Sequence, residues 1–237
     1  MDKTLSFYQQ ISKFLGNLTI QNDFSFTYKQ DGSPVTTLDL EIDRFITKLS
    51  KLFFPDFQYF SEEAELKHEI FSGDAIIVDP LDGTSNFLNG IPIWSVGIAI
   101  YENFKIDSAI VFMPEMKLVM PSKKYQTAVF EGFNKLRNNS VPTRINAYSS
   151  EAKNLHVLRE TQNENRIFGS SLFNLAITAN KAIHFTPNPE GSWLWDIAPG
   201  LLFCKEEGFE VLINGELFMG QFLNPYEKHF FKISPCN

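Results

Sequence analysis

The chain has 237 residues, 43% of them hydrophobic, with 24 Phe among them. That length fits one large domain or two tightly packed halves and excludes a repeat array or a mini-protein. With 21 Lys and Arg against 28 Asp and Glu the net charge is −7, the wrong sign for nucleic-acid binding by phosphate neutralisation, so a phosphate ligand here needs a cation between itself and the protein.

Leu5, Tyr8, Ile11 and Leu15 recur at three-to-four spacing and predict a helix over residues 4–16, stopped by Gly16. Alternation at Phe24, Phe26 and Tyr28 reads as a strand, and Asp31-Gly32 as the turn of a hairpin. The period then changes. Leu38, Ile42, Phe45, Ile46, Leu49, Leu52 and Phe53 share one helical face, which puts Asp39 in a helix's first turn with Asp43 one turn further on. The run 74–79, between Gly73 and Pro80, predicts a buried strand ending at Asp79. A meander of strands is expected at Ile93–Tyr101, Ile106–Phe112, Lys117–Pro121 and Ala128–Phe130.

The polar stretch Arg137–Arg144 is the plausible seam, dividing a single domain over 1–237 into halves of about 1–136 and 137–237. Beyond it come a helix over Ser171–Asn180, a strand over Ala182–Phe185, a helix over Ile197–Glu207 stopped by Gly208, and a hairpin at Asn214-Gly215. Mixed in this order, the elements imply an α/β or α+β layered fold. Cys204 and Cys236 show neither metal-ligand spacing nor the density of a disulfide scaffold, and His68, His156, His184 and His229 form no ligand set. No apolar run approaches the roughly 18 residues of a membrane span, and the first ten residues lack a signal-peptide core. The expectation is a soluble cytoplasmic protein.

The densest chemistry lies in Asp79-Pro80-Leu81-Asp82-Gly83-Thr84. Pro80 keeps Asp79 extended and fixes its own φ, so two carboxylates stand at the mouth of a strand. Gly83 lets backbone approach a ligand, and Thr84 can open a short helix with free N–H groups. Taken alone, Asp79 and Asp82 could equally cap a turn, Glu62-Glu63 could be a solvated surface, and Asp196, in Trp193-Leu194-Trp195-Asp196-Ile197-Ala198-Pro199-Gly200, could serve only as a helix N-cap. In this reading Pro199 lies in the first turn, where an N–H is not missed.

Four motifs in order settle on one resemblance. DPLDGTSNF over Asp79–Phe87, WDIAPG over Trp195–Gly200, the upstream pair Glu62-Glu63 and the Val35-Thr36-Thr37-Leu38-Asp39 helix start resemble the inositol monophosphatase family of metal-dependent, lithium-sensitive phosphatases. The resemblance implies an α-β-α-β-α layered sandwich of the sugar-phosphatase type. It implies one Mg2+ held by Glu62, Asp79 and the Leu81 carbonyl, a second held by Asp79, Asp82 and Asp196, and Glu63 in support, reaching a third, weaker ion through a water. The reaction would be hydrolysis of a phosphate monoester by a metal-activated water that Glu62 and Thr84 orient, with Asp39 polarising Thr84. Asp82, Gly83, Thr84, Gly169, Ser170 and Asp196 would contact the substrate, and Glu190 is the nearest match to the family's acidic residue before the second motif.

The substrate expected from the resemblance is a small phosphorylated alcohol, inositol monophosphate or a related sugar phosphate. Asp31-Gly32-Ser33-Pro34-Val35-Thr36 also resembles the branch acting on nucleotide bisphosphates or histidinol phosphate, so a 3'(2'),5'-bisphosphate nucleotidase is the alternative, and a non-catalytic regulatory binding protein that keeps the metal cleft is another. The resemblance makes a homodimer possible, while the bulky Gly132-Phe133-Asn134-Lys135 turn, at a place where small residues are usual, departs from the family at its dimer and its active-site rim.

Overall fold

The structure, a computed structural model, describes residues 2–18, 24–30, 32–64, 71–136, 145–150, 163–181 and 183–235. The expected seam 137–144 lies outside these, as do Asp31, Ala182, Cys236, His68 and His156.

Helix α1 (Lys3–Gly16) is capped by Asp2, whose Oδ1 accepts from the Leu5 N–H at 3.0 Å. Strands β1 (Phe26–Tyr28) and β2 (Pro34–Thr36) pair antiparallel as the expected hairpin. Helix α2 (Thr37–Phe53) opens with a capping box: the Thr36 hydroxyl accepts from the Asp39 N–H at 3.3 Å, while Asp39 Oδ2 accepts from the Thr36 N–H at 2.9 Å. Six strands then form the main sheet: β3 (Gln58–Ser61), β4 (Ala75–Asp82), β5 (Ser95–Glu102), β6 (Lys105–Met113), β7 (Leu118–Pro121) and β8 (Asn134–Lys135), adjacent in that order. Only β3 with β4 and β7 with β8 run parallel.

The sheet is buried on both faces, which is why its central strands read as continuous apolar runs. Ile76, Val78, Val96, Ile98 and Ile100 face α1 and α2 through Phe7, Ile11, Ile42 and Ile46. The alternate residues Ala75, Ile77, Ala99 and Tyr101 face α4 (Ser171–Ala179) and α5 (Leu194–Glu206) through Leu172, Leu175, Ile197 and Leu201. Behind those helices lie two small sheets. One joins β9 (Ile145–Tyr148), β10 (Glu164–Ile167) and β11 (His184–Thr186) in parallel, and the other joins β12 (Phe209–Ile213), β13 (Glu216–Leu217) and β14 (Phe231–Pro235) antiparallel. The described residues thus build four successive layers, α-β-α-β, of the layered α/β sandwich. Helix α5 is apolar all round because both of its sides are covered. It approaches α4 so closely that a Cβ on Gly200 would stand 2.2 Å from Leu175 Cβ.

Three expectations need correction. Ala128–Phe130 is not a strand. The chain there leaves a 3-10 turn at Lys123–Tyr125, and Phe130 is buried edge-on to Phe112 at 6.1 Å while Val129 is 78% exposed. Alternation recorded burial, not ladder partners, and the sheet's edge falls at Asn134–Lys135. Strand β4 does not stop at Asp79 but runs to Asp82, with a register break between the two. Helix α5 begins at Leu194, so Trp193 is the N-cap, Asp196 sits in the first turn and Pro199 lies inside the helix. Pro199 therefore gives up an N–H that a regular helix would use.

Candidate active site

The register of the main sheet assembles the site. Ser61 pairs with Val78 and the Glu62 N–H reaches the Val78 carbonyl at 3.2 Å, so Glu62 continues the parallel ladder alongside Asp79. Alternation places Asp79 on the side of Ala75 and Ile77, towards α5, whose first turn carries Asp196. One carboxylate oxygen from each of Glu62, Asp79 and Asp196 lies within 4.8 Å of the others. Residues 134 positions apart in the chain therefore share one small volume.

Each member is held from behind. Asp79 Oδ1 accepts from the Leu81 N–H at 3.1 Å, whereas its buried Oδ2 has no hydrogen-bond partner among the described residues. Asp196 Oδ2 accepts from the Trp193 N–H at 3.1 Å. Asp43, one turn after Asp39, accepts from the Tyr59 hydroxyl at 2.8 Å and the Ser61 hydroxyl at 2.6 Å, fixing the end of β3 where Glu62 begins.

Asp82 stands apart from the trio. Its Oδ2 accepts from the Ser170 hydroxyl and the Leu172 N–H, both at 2.6 Å, at the start of α4, which leaves Oδ1 as the atom it can offer. Ser170 is 2% exposed, and its hydroxyl donates to Asp82. Gly169 does line the cleft, with Ser33, Pro34, Ser85, Asn86, Ser150 and Ile167 around Glu62, Leu81, Asp82, Gly83, Thr84 and Asp196. The cleft holds about 420 Å3. Glu190 lies outside that ring, exposed in the turn before α5.

Helix α3 (Thr84–Leu88) follows the bulge at once. Gly83 adopts φ +97°, and a Cβ there would meet the Ile93 carbonyl at 3.0 Å, so only glycine fits this turn. The Thr84 hydroxyl stands 3.0 Å from the Leu81 carbonyl and 3.2 Å from Asp39 Oδ1. Both are acceptors, so its single proton is committed away from the cleft and its lone pairs remain. Asp39 is 1% exposed, and its other oxygen also accepts from the Thr36 hydroxyl.

The electrostatics are those of a crowded acidic pocket. Burial pushes Asp79 and Asp196 well above the ordinary carboxylate range, and the charges of Glu62 and Asp82 push both further. Burial raises Asp82 to about 6 against its hydrogen bonds from Ser170 and Leu172. Glu63 is raised to about 7, again by burial first, although Lys29 opposes the shift. Lys29 Nζ bridges Glu62 Oε1 and Glu63 Oε1 at 2.7 Å each.

Lys29 and Asn86 carry parts of the site that sequence reading missed. Lys29 meets its partners 33 and 34 residues away, with no motif to announce them. Asn86 lies within the DPLDGTSNF stretch, and its Nδ2 donates to the carbonyls of Ile93 at 2.7 Å and Phe168 at 2.6 Å, tying α3 to the segment before Gly169. Its place in the motif was the available signal.

All donors converging here are oxygens. A pocket of mutually repelling carboxylates with one buried, unpartnered oxygen fits a hard divalent cation and not zinc.

Comparison with known proteins agrees with this geometry. A sequence model described as the inositol monophosphatase family matches residues 8–231. A Thermotoga maritima protein named fructose-1,6-bisphosphatase/inositol-1-monophosphatase is 30% identical over 208 residues, covering 83% of this chain and 76% of that one. A Nus factor SuhB of Xylella fastidiosa is 28% identical over 187 residues, covering 72% and 66%. Among solved structures, a staphylococcal inositol monophosphatase in a lithium-soaked inhibitory complex superposes with a TM-score of 0.78 at 19% identity, covering 99% of this chain and 92% of that one.

Proposed function

This chain belongs to the inositol monophosphatase family, and from that premise we propose that it is a Mg2+-dependent phosphomonoesterase of small phosphorylated alcohols, inositol monophosphate or a related sugar phosphate among them. The observation that carries the reading is the convergence of Glu62, Asp79 and Asp196 within 4.8 Å, with Asp79 Oδ2 buried and unpartnered.

Glu62, Asp79 and the Leu81 carbonyl would hold one Mg2+, and Asp79, Asp82 through Oδ1, and Asp196 a second, with Glu63 supporting a third. When bound, the cations supply positive charge that makes a water acidic enough to attack and that offsets charge on the leaving oxygen. The protein's own groups do the positioning. Glu62 accepts a proton from the attacking water. The lone pairs of the Thr84 hydroxyl accept a second hydrogen bond from it, because Asp39 and Leu81 hold the Thr84 proton on the far side. The N–H groups of Gly83 and Thr84 receive phosphoryl oxygens at the cleft floor. Ser170 holds Asp82, and Lys29 balances Glu62 and Glu63 until a cation enters. Lithium is expected to inhibit, and a homodimer and a cytoplasmic location remain part of the proposal. Among the described residues, no helix is long and apolar enough to cross a membrane.

The test is phosphate release from a panel of monoesters with and without Mg2+. Turnover should require the metal, and a rate unchanged by its removal contradicts the reading. In the same assay Thr84→Val should lower kcat by about 100-fold, roughly 2.7 kcal/mol of barrier, with little change in KM. Thr84→Ser should recover most of the loss, since it restores the hydroxyl. A Val variant as active as the parent rules out the positioning role.

A further inference from the structure

Lys228 is an exposed cation that the machinery above does not use. Its Nζ stands 5.8 Å from the centroid of the Trp193 ring, and among the described residues it forms no ion pair. The chain has a net charge of −7, and acidic groups crowd the cleft that Asp196 lines.

Its place is fixed from both sides. Trp193 caps α5, stacks on Trp195 at 5.5 Å and 15°, and gives its N–H to Asp196 Oδ2. The next residue after Lys228, His229, is 2% exposed and forms an antiparallel bridge with Ser192 through N–H bonds of 2.8 and 3.0 Å. The two segments touch closely enough that a Cβ on Gly191 would stand 3.0 Å from Lys228 Cβ. Asp196 lines the cleft, whereas Trp193 lies three residues, roughly 4.5 Å of helix rise, before it as the N-cap of α5. The ammonium is therefore held over the ring of the residue that caps α5 and gives its N–H to Asp196 Oδ2.

We propose that Lys228, seated on Trp193, is a specificity-determining residue that receives a second anionic group, a phosphate at the far end of the substrate's alcohol. This rests on the phosphomonoesterase reading of the cleft. A second phosphate approaching an acidic protein is repelled unless a fixed cation meets it, and a cation already ordered on an indole loses little freedom in doing so. Esters of uncharged alcohols have nothing to place there.

The experiment measures kcat/KM for D-inositol 1-phosphate, fructose 1,6-bisphosphate and adenosine 3',5'-bisphosphate in the Mg2+-loaded wild type, Lys228→Glu and Lys228→Arg, with melting curves to confirm folding. The ratio of kcat/KM for a bisphosphate to that for inositol 1-phosphate should fall about tenfold or more in Lys228→Glu, through KM, and return to within about threefold in Lys228→Arg. Which bisphosphate shows the fall separates a sugar from a nucleoside as spacer. Ratios unchanged for both, or a loss in kcat shared by all three esters, overturn the proposal. A wild type that hydrolyses none of the three overturns the phosphatase reading and this inference with it.

Discussion

Asp79→Asn is expected to lower kcat/KM for phosphate release by on the order of 10^3 to 10^4, about 4 to 5.5 kcal/mol of transition-state stabilisation. No other carboxylate is placed to bridge so much of the site. It pairs in register with the Glu62 segment, faces Asp196, and carries the one buried carboxylate oxygen without a partner among the described residues. The same change should make the metal-free protein more stable, because an amide in that position removes a buried charge that Glu62, Asp82 and Asp196 all oppose. Opposite signs on activity and on metal-free melting temperature separate a cation-binding residue from a structural one. A variant that loses both activity and melting temperature shows that Asp79 supports the fold instead, and one that retains activity ends the assignment.

The second large effect is on pH. Metal-free protein, kept in chelator, should lose stability as pH rises from about 4 to about 7, the reverse of ordinary acid denaturation. The folded-state values of Asp79 and Asp196 lie well above the ordinary 3.8, Asp82 is raised to about 6, and Glu63 to about 7 from 4.5. Between the ordinary and the raised value the folded state keeps a proton that the unfolded chain has released. The folded state therefore binds more protons, and its advantage falls as pH increases. Each tenfold difference in a carboxyl's proton affinity between the folded and unfolded chain is worth about 1.4 kcal/mol, so the cluster should contribute a few kcal/mol, or on the order of 10 °C in melting temperature for a chain of this size. Millimolar Mg2+ should abolish the loss by binding the ionised carboxylates, so the gap between melting curves with and without metal should widen with pH. Parallel curves at every pH contradict the cluster's electrostatics.

Much of this site was legible because its chemistry is packed into short stretches. The helix opened at Thr84 and the place of Asp39 in the first turn of α2 follow from neighbours within a few residues, and so do the turns at Gly83 and Asn214-Gly215, whereas the bulge that carries β4 on to Asp82 depends on its pairing with β5. What misled was apolar patterning read as though it named a partner. Ala128–Phe130 alternates because Phe130 plugs the core beside Phe112. The start of α5 was hidden because Trp193, Leu194 and Trp195 resemble a buried strand more than a cap, and Asp196 looked like the cap it in fact supports from the first turn. Contacts between distant segments left no local trace: Lys29 on Glu62 and Glu63, Ser170 on Asp82, and Asn86 on Phe168 exist only once the sheets are stacked.

The central claim is that Glu62, Asp79 and Asp196 converge to hold divalent cations, with Asp79 shared between the two sites. Anomalous scattering from crystals grown with Mn2+ in place of Mg2+ tests it directly. The account predicts two peaks, one within roughly 2.0–2.3 Å of oxygens of Glu62 and Asp79 and the other within that distance of oxygens of Asp79 and Asp196, the second lost in crystals of Asp196→Ala. A peak elsewhere, or none at saturating Mn2+ with the three side chains turned apart, would contradict it.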